Sequence, residues 1–167
     1  MPRVSFDKYQ GLGNDFIVLR HEDPDSFPVE RAKALCDRHF GVGADGVLLV
    51  SPPTTAAARA RMTVLNADGS RPEMCGNGLR VFARYLVAHG HQPAGDFLVA
   101  PRAGLRGVTV PASDGAGDEP DVTVDLGRYT VVSADGVTVG VGAARWPACH
   151  VDMGNPHAVA FVDDLDD

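Results

Sequence analysis

The chain of 167 residues contains 22 acidic and 15 basic side chains and has a formal net charge of −7. This charge argues against a nucleic-acid groove, which would need clustered Lys and Arg. The sequence contains no segment near the roughly 20 apolar residues of a membrane span, and it starts without the apolar stretch of a signal peptide. We therefore expect a cytoplasmic protein that binds neither nucleic acid nor a membrane.

The first forty residues predict two strands and a helix. The strands are expected at 4–9 and 16–20, on either side of a polar loop that contains glycine. The helix is expected over about Pro28–His39, because apolar side chains recur there at helical spacing. Cys36 and Phe40 fall on its apolar side, so we expect Cys36 to be a core residue.

The segment Gly41–Gly46 matches the pattern G-x-G-x-x-G. A dinucleotide-binding fingerprint must follow a strand and open a helix. This segment instead follows a helix and opens a strand expected at 47–50. We therefore predict a sharp turn between helix and strand here, and no dinucleotide site.

A second predicted helix begins at the segment Cys75–Gly78 and ends near Gly90. Its side chains are apolar on nearly every side, apart from a stripe made by Arg80 and Arg84. A helix of this kind is surrounded by other structure. We therefore expect it to lie at the centre of a domain.

Short strands are predicted through most of the remaining chain, at 61–65, 97–99, 105–110, 122–126, 137–141, 150–153 and 158–162. A linker-like segment at 111–120, rich in Pro, Gly, Ser and Asp, predicts a domain boundary. The first domain is expected at 1–118, and the beginning of an incomplete second domain at 119–167. The fold class is α/β (α+β), a mostly antiparallel sheet curled around the central helix.

The start of that helix, Cys75-Gly76-Asn77-Gly78, has the residue types of a reactive site. The first turn of a helix leaves backbone N–H groups unpaired, and Gly76 and Gly78 would let an anion approach them. Helix N-termini lower the pKa of a thiol, so we expect Cys75 to favour its thiolate. A basic sulfur beside a carboxylate-sized anion site suits proton removal next to a carboxylate. The alternative is a capping cysteine followed by two glycines that serve chain geometry alone.

The other two cysteines, Cys36 and Cys149, are interpreted as structural. The three cysteines lie far apart in the sequence and form no C-x-x-C pair. A zinc site or a thioredoxin-like redox motif is therefore not expected.

Four segments of the chain together resemble diaminopimelate epimerases, in the order and approximate spacing of that family. They are Gly11–Phe16, Asn66–Ser70, Glu73–Arg80 and Met153–Val159. Each segment is weak evidence alone, but the four together are highly specific, and the resemblance covers essentially the whole chain.

The resemblance implies interconversion of L,L- and meso-diaminopimelate without pyridoxal phosphate, other cofactors or a metal. Two cysteines from two similar domains then face each other across the substrate α-carbon. Cys75 would be the first of these, the proton donor in the L,L-to-meso direction. Gly76 and Asn77 would hold the reacting carboxylate, and Asn14 and Asn66 would contribute further substrate contacts.

In the second domain, the resemblance implies that Asn155 binds substrate and that His157 tunes the pKa of the thiol pair. Read without the family, Asn155 fits a plain turn and His157 a structural histidine. The resemblance also implies a homodimer for the full-length protein.

The chain departs from the family pattern at two places. Gly46 stands where some members have a side chain near the substrate. The second Cys-Gly-Thr/Asn-Gly helix start is missing from these 167 residues, so we expect the chain to be inactive alone. Two other readings stay open: an isomerase of the phenazine-biosynthesis or proline-racemase type, and a non-catalytic binding module.

Overall fold

The computed structural model describes residues 4–113 and 120–163. The chain divides into two compact units, Met1–Asp125 and Leu126–Asp167. Most of the predicted linker at 111–120, with the expected boundary between 118 and 119, lies outside the described residues. No helix within the described ranges is long and apolar enough to cross a bilayer.

The first unit begins with a four-stranded sheet and one helix. In chain order the elements are β1 (Asp7–Gly11), β2 (Asn14–Arg20), α1 (Val29–Cys36), β3 (Gly46–Ser51) and β4 (Arg61–Asn66). The strands lie in the order β1-β2-β3-β4, and only the β2–β3 pair is parallel within this sheet. Every residue of β3 is buried, as expected for a central strand that is covered on both faces.

Helix α1 is shorter than the sequence predicts. It ends at Cys36 because Asp37 leaves the helical conformation, and the Asp37 carboxylate accepts hydrogen bonds from the backbone N–H groups of His39 and Phe40. Phe40 is 95% exposed, so its predicted place on the apolar side was wrong, whereas Cys36 is a core residue at 4% exposure. The turn that follows leads into β3, and this confirms the predicted helix-to-strand connection.

Helix α2 (Gly76–Ala88) lies between the first sheet and a second, three-stranded sheet. That sheet contains β5 (Gly95–Val99), β6 (Arg106–Val110) and β7 (Thr123–Val124), all paired antiparallel. The helix contacts strands of both sheets. The prediction of a central helix is confirmed, and its apolar sequence follows from this enclosure. Its buried residues are Gly78, Leu79, Val81, Phe82, Ala83, Tyr85 and Leu86.

The second unit is a three-stranded antiparallel sheet in the order β10-β9-β8. Its strands are β8 (Thr130–Val141), β9 (Ala144–Asp152) and β10 (Pro156–Ala160). Only parts of β8 and β9 are predicted from the sequence. The pairing of β8 with β9 shifts register around Ser133, and such an irregularity interrupts the alternating pattern by which a strand is recognised. The mixed α/β class with mostly antiparallel strands is confirmed.

Candidate active site

A tight hairpin turn places Asn14 at the start of β2. Gly11 and Asn14 pair across β1 and β2, which leaves Leu12 and Gly13 as a two-residue loop. Both loop residues have positive φ angles, 51° and 85°, as in the type I′ turns that join twisted strands. Leu12 is 78% exposed. The predicted polar loop is therefore reduced to two residues, and Asn14 is held by strand pairing.

Cys75 is the N-cap residue of α2, and its own helix holds its sulfur. Its backbone is extended (φ −145°, ψ 102°), and the sulfur accepts a hydrogen bond from the Gly78 N–H at 3.3 Å. A Cβ on residue 78 would lie 3.1 Å from that sulfur and 3.2 Å from Leu48 Cδ2. The glycine at 78 therefore makes room for the sulfur and for Leu48. Contrary to the sequence prediction, its N–H is used by the Cys75 sulfur.

The pKa of Cys75 is raised above its ordinary value because the thiol is partly buried. The backbone N–H groups of Gly78 and Asn77 act in the opposite direction, but they are the smaller influence. The expectation of a favoured thiolate was therefore wrong in net direction. The helix start does stabilise the anion, as predicted, yet burial among the strands around α2 outweighs it.

Asn77 and Asn14 contact each other directly beside the cysteine. The Nδ2 of Asn77 donates to the Oδ1 of Asn14 at 2.8 Å, and Arg80 Nη1 donates to the Oδ1 of Asn77 at 3.0 Å. Gly76 and Asn77 are also the first two residues of α2, whose N–H groups have no acceptor within the helix. The structure therefore brings four of the predicted residues together: Asn14, Cys75, Gly76 and Asn77.

A network of charged residues, which the sequence analysis missed, continues from Asn14. The Nδ2 of Asn14 donates to Asp45 Oδ2 at 3.2 Å. Arg38 pairs with Asp45 at 2.8 Å and with both carboxylate oxygens of Asp15, at 2.7 and 3.1 Å. Lys8 lies 3.0 Å from Asp15. The Arg38 guanidinium holds the pKa of Asp15 far below its usual range, and Lys8 lowers it further. Burial of Asp15 acts in the opposite direction but is outweighed.

Asn66, at the end of β4, belongs to the turn that follows it. Its Nδ2 donates to Ser70 Oγ at 2.8 Å, and none of its described side-chain hydrogen bonds is to Asn14 or Asn77. Its strand partner is Gly46. A Cβ on residue 46 would lie 2.9 Å from the Leu65 carbonyl oxygen. The departure at Gly46 therefore has a local reason, since the backbone of β4 occupies the space of a side chain.

An open cavity lies on the side of α2 that presents Arg80. It has a volume of about 460 Å³, and Tyr9, Gln10 and Arg84 also line it. None of the predicted site residues is among its lining residues. This cavity therefore does not enclose the Cys75 end of the helix.

A family model described as diaminopimelate epimerase matches residues 6–132. The chain belongs to the diaminopimelate epimerase family. The matched range includes β1 to β7 and both helices, and thus the whole of the site around Cys75.

Curated relatives agree with this assignment, and a solved structure shares the fold. The chain is 46% identical to the diaminopimelate epimerase of Streptomyces coelicolor, over 98% of this chain and 57% of that protein. It is 41% identical to the diaminopimelate epimerase of Thermosynechococcus vestitus, over 97% of this chain and 60% of that protein. A probable proline racemase from Agrobacterium radiobacter has the same fold, with a TM-score of 0.72 and 16% sequence identity. The match covers 95% of this chain and 52% of the racemase chain. The chain spans about three fifths of the length of these curated relatives.

The family resemblance also concerns two residues of the second unit. Asn155 lies in the turn between β9 and β10, and His157 lies in β10. The Nε2 of His157 is 3.0 Å from Asn155 Oδ1, and an amide oxygen can only accept, so the ring nitrogen donates. Cys149 lies in β9 of the same unit, 3.2 Å from the Ala134 carbonyl oxygen. The predicted pair Asn155 and His157 therefore forms a local contact of its own.

Proposed function

We propose that this chain supplies the Cys75 half of the active site of a diaminopimelate epimerase. The observation that carries the proposal is the contact set at the start of α2. A half-buried thiol lies beside the helix N–H groups of Gly78 and Asn77 and beside a hydrogen-bonded pair of amides, Asn77 and Asn14, in a chain of this family. The reaction is the interconversion of L,L- and meso-diaminopimelate, without a cofactor.

In the proposed reaction, Cys75 gives its proton to the α-carbon of the substrate. A thiolate on the opposite face first takes the α-proton, so the C–H electron pair stays on the α-carbon and spreads into its carboxylate. The N–H group of Gly76 and the side-chain amide of Asn77 stabilise this negative charge. Cys75 S–H then protonates the other face and is left as the thiolate, while the opposite cysteine is left as the thiol. The configuration is inverted, and the next turnover can run in reverse.

The raised pKa of Cys75 supports its assignment as the proton donor. A donor must hold its proton until the carbanion forms, and burial of the Cys75 thiol favours this protonated form. The Gly78 N–H bound to the sulfur stabilises the thiolate that remains. The same thiol can therefore act as an acid in one direction and as a base in the other.

The second half of the site, on this proposal, comes from a second domain that begins near residue 119. Asn155 contributes a substrate contact there, and His157 tunes the pKa of the thiols. Asn66 contributes a substrate contact from the first unit. The second thiol belongs to a further Cys-Gly helix start outside these 167 residues. The complete protein acts as a homodimer in the cytoplasm, where reducing conditions suit the three free cysteines of this chain.

The proposal is tested by extending the chain with the part of the Streptomyces coelicolor relative that lies beyond the match. L,L-Diaminopimelate is incubated with this fusion in heavy water, and deuterium at the α-carbon and the meso product are measured. We expect both, and we expect Cys75→Ala to abolish the meso product while Cys149→Ala, a matched loss of a thiol in β9, retains it. Turnover without Cys75, or a folded fusion without turnover, would refute the proposal.

The 167-residue chain alone is the second arm of the test. We expect it to form no meso product, because one thiol cannot serve both faces of the α-carbon. Epimerisation by the chain alone that depends on Cys75 would show that the second base comes from this chain or from a second copy of it. The two-domain account would then be wrong.

A further inference from the structure

A continuous series of side-chain hydrogen bonds connects the start of α2, through Asn14, to the charged network that contains Asp45. Arg80 donates to Asn77, Asn77 donates to Asn14, and Asn14 donates to Asp45, at 3.0, 2.8 and 3.2 Å. All four residues belong to the first unit. We call this set the amide relay.

The two ends of the amide relay fix the orientation of both amides. A guanidinium can only donate, so the oxygen of Asn77 must face Arg80. A carboxylate can only accept, so the nitrogen of Asn14 must face Asp45. With both ends set, the central bond can run only from Asn77 Nδ2 to Asn14 Oδ1. A flipped amide in either residue would place two donors or two acceptors against each other, and an unmatched polar contact of this kind is costly where water is partly excluded.

Asp45 is itself held in place from several directions. Its Oδ2 also accepts the backbone N–H of Asp15 at 3.0 Å, and its Oδ1 accepts from Arg38 at 2.8 Å. Its backbone N–H donates to the Asp15 carbonyl at 2.9 Å, and its carbonyl accepts from the N–H of Ala67 at 3.0 Å. Asp45 therefore has little freedom to turn away from Asn14.

We infer that Asp45 is a positioning residue, which acts through Asn14 to orient the amide of Asn77 toward the substrate. This inference rests on the proposed function in so far as Asn14 and Asn77 are taken to contact diaminopimelate. Each amide keeps one N–H and one acceptor lone pair outside the relay. The amide relay holds these remaining groups in one orientation. The substrate therefore meets amides that are already oriented for binding.

The first test uses the side-chain amides directly and needs no substrate. The chain contains four asparagines, Asn14, Asn66, Asn77 and Asn155, so labelling with ¹⁵N-asparagine gives four side-chain NH₂ pairs in a proton–nitrogen spectrum. In Asp45→Ala we expect the pairs of Asn14 and Asn77 to shift, and those of Asn66 and Asn155 to stay in place.

A matched control is Asp25→Ala. Asp25 also accepts from arginines of the first unit, Arg61 and Arg71, but it has no part in the amide relay. It should leave all four amide pairs unchanged. If Asp45→Ala does not fold, Asp45→Gln replaces it, because glutamine keeps an acceptor but is longer and can present either end of its amide. An unchanged Asn77 pair in a folded Asp45 variant would overturn the inference.

The second test measures binding of L,L-diaminopimelate to the same chain in a double-mutant cycle. Asp45→Ala should weaken binding about tenfold, as expected for the loss of a hydrogen bond to a charged group. The same change should have no further effect in an Asn14→Ala background, because the residue through which Asp45 acts is absent. Equal effects in both backgrounds would reduce Asp45 to a general support of the fold and overturn the inference.

The two tests separate failure of this inference from failure of the proposed function. If the unmodified chain does not bind diaminopimelate, the result counts against the proposed function. The amide shifts still decide whether Asp45 orients Asn77. If the chain binds but the shifts and the cycle show no coupling, the relay is wrong and the proposed function stands.

Discussion

Gly78→Ala should reveal how tightly the Cys75 sulfur is held. The added Cβ would lie 3.1 Å from Cys75 Sγ and 3.2 Å from Leu48 Cδ2. Both distances are shorter than ordinary van der Waals contacts, so a neighbour has to move by a few tenths of an ångström. Leu48 is fully buried in the central strand β3 and cannot retreat easily in a close-packed core. The sulfur is therefore the group that should move.

Two opposing effects determine the change in the free energy of unfolding. Replacing Gly by Ala inside a helix stabilises it by about 1 kcal/mol. Adding a methyl group to a well-packed core costs about 1–3 kcal/mol. We therefore expect Gly78→Ala to destabilise the first unit by about 0–2 kcal/mol. In a Cys75→Ala background the closest of these contacts is absent, so the same change should cost at least about 1 kcal/mol less.

Urea unfolding followed by far-ultraviolet circular dichroism measures these differences. Trp146, the only tryptophan, lies in β9 of the second unit, so its fluorescence is not a direct probe of α2. Gly107→Ala is the control, because its added Cβ would meet only Asp125 Cβ, at 3.7 Å. If Gly78→Ala is as stabilising as an ordinary glycine replacement in a helix, or if its effect is the same without Cys75, the sulfur does not lie against residue 78 and the reasoning fails.

Two pH-dependent properties follow from the charged and thiol groups. Burial raises the pKa of Cys75, so the rate at which iodoacetamide alkylates Cys75 should keep rising at pH values where the rate for the same cysteine in the urea-unfolded chain is already constant. A rate that becomes constant at a lower pH than in the unfolded chain would contradict this. The pKa of Asp15 is lowered, chiefly by Arg38. The ionised Asp15 carboxylate therefore stabilises the fold at pH values above the ordinary carboxyl pKa of about 4. This stabilisation is lost progressively as the pH falls from that value toward the lowered pKa. The stability lost in Asp15→Asn, measured by urea unfolding, should therefore shrink as the pH falls from 6 to 3, and a constant difference would count against the ion pairing.

Local sequence patterns were sufficient to predict the parts of the fold that follow from burial and helix ends. Helix α2 could be placed at the centre because its side chains are apolar on nearly all sides. The segment that begins at Cys75 could be placed at its N-terminus because glycine, asparagine and cysteine precede an apolar run. These features depend on neighbours within a few residues, which is the range that periodicity reports.

The contacts around the candidate site could not be predicted in this way. Arg38 lies 23 residues from Asp15, and Asn77 lies 63 residues from Asn14. The first pair forms because the turn after α1 meets β2, and the second because the start of α2 meets β2. The direction of the Cys75 pKa was missed for the same reason, since its burial depends on the strands around the helix and not on the helix start alone.

The competing influences on Cys75 suit a reaction that must run in both directions. A thiol with a strongly lowered pKa would be a ready base but a weak acid, and one buried without donors would be a weak base. Here burial favours the protonated form, while the N–H groups of Gly78 and Asn77 stabilise the anion. In the proposed epimerase the opposite thiol must perform the complementary step in each direction. The placement of one cysteine at the start of an enclosed helix therefore subjects its sulfur to burial and to backbone donors at the same time.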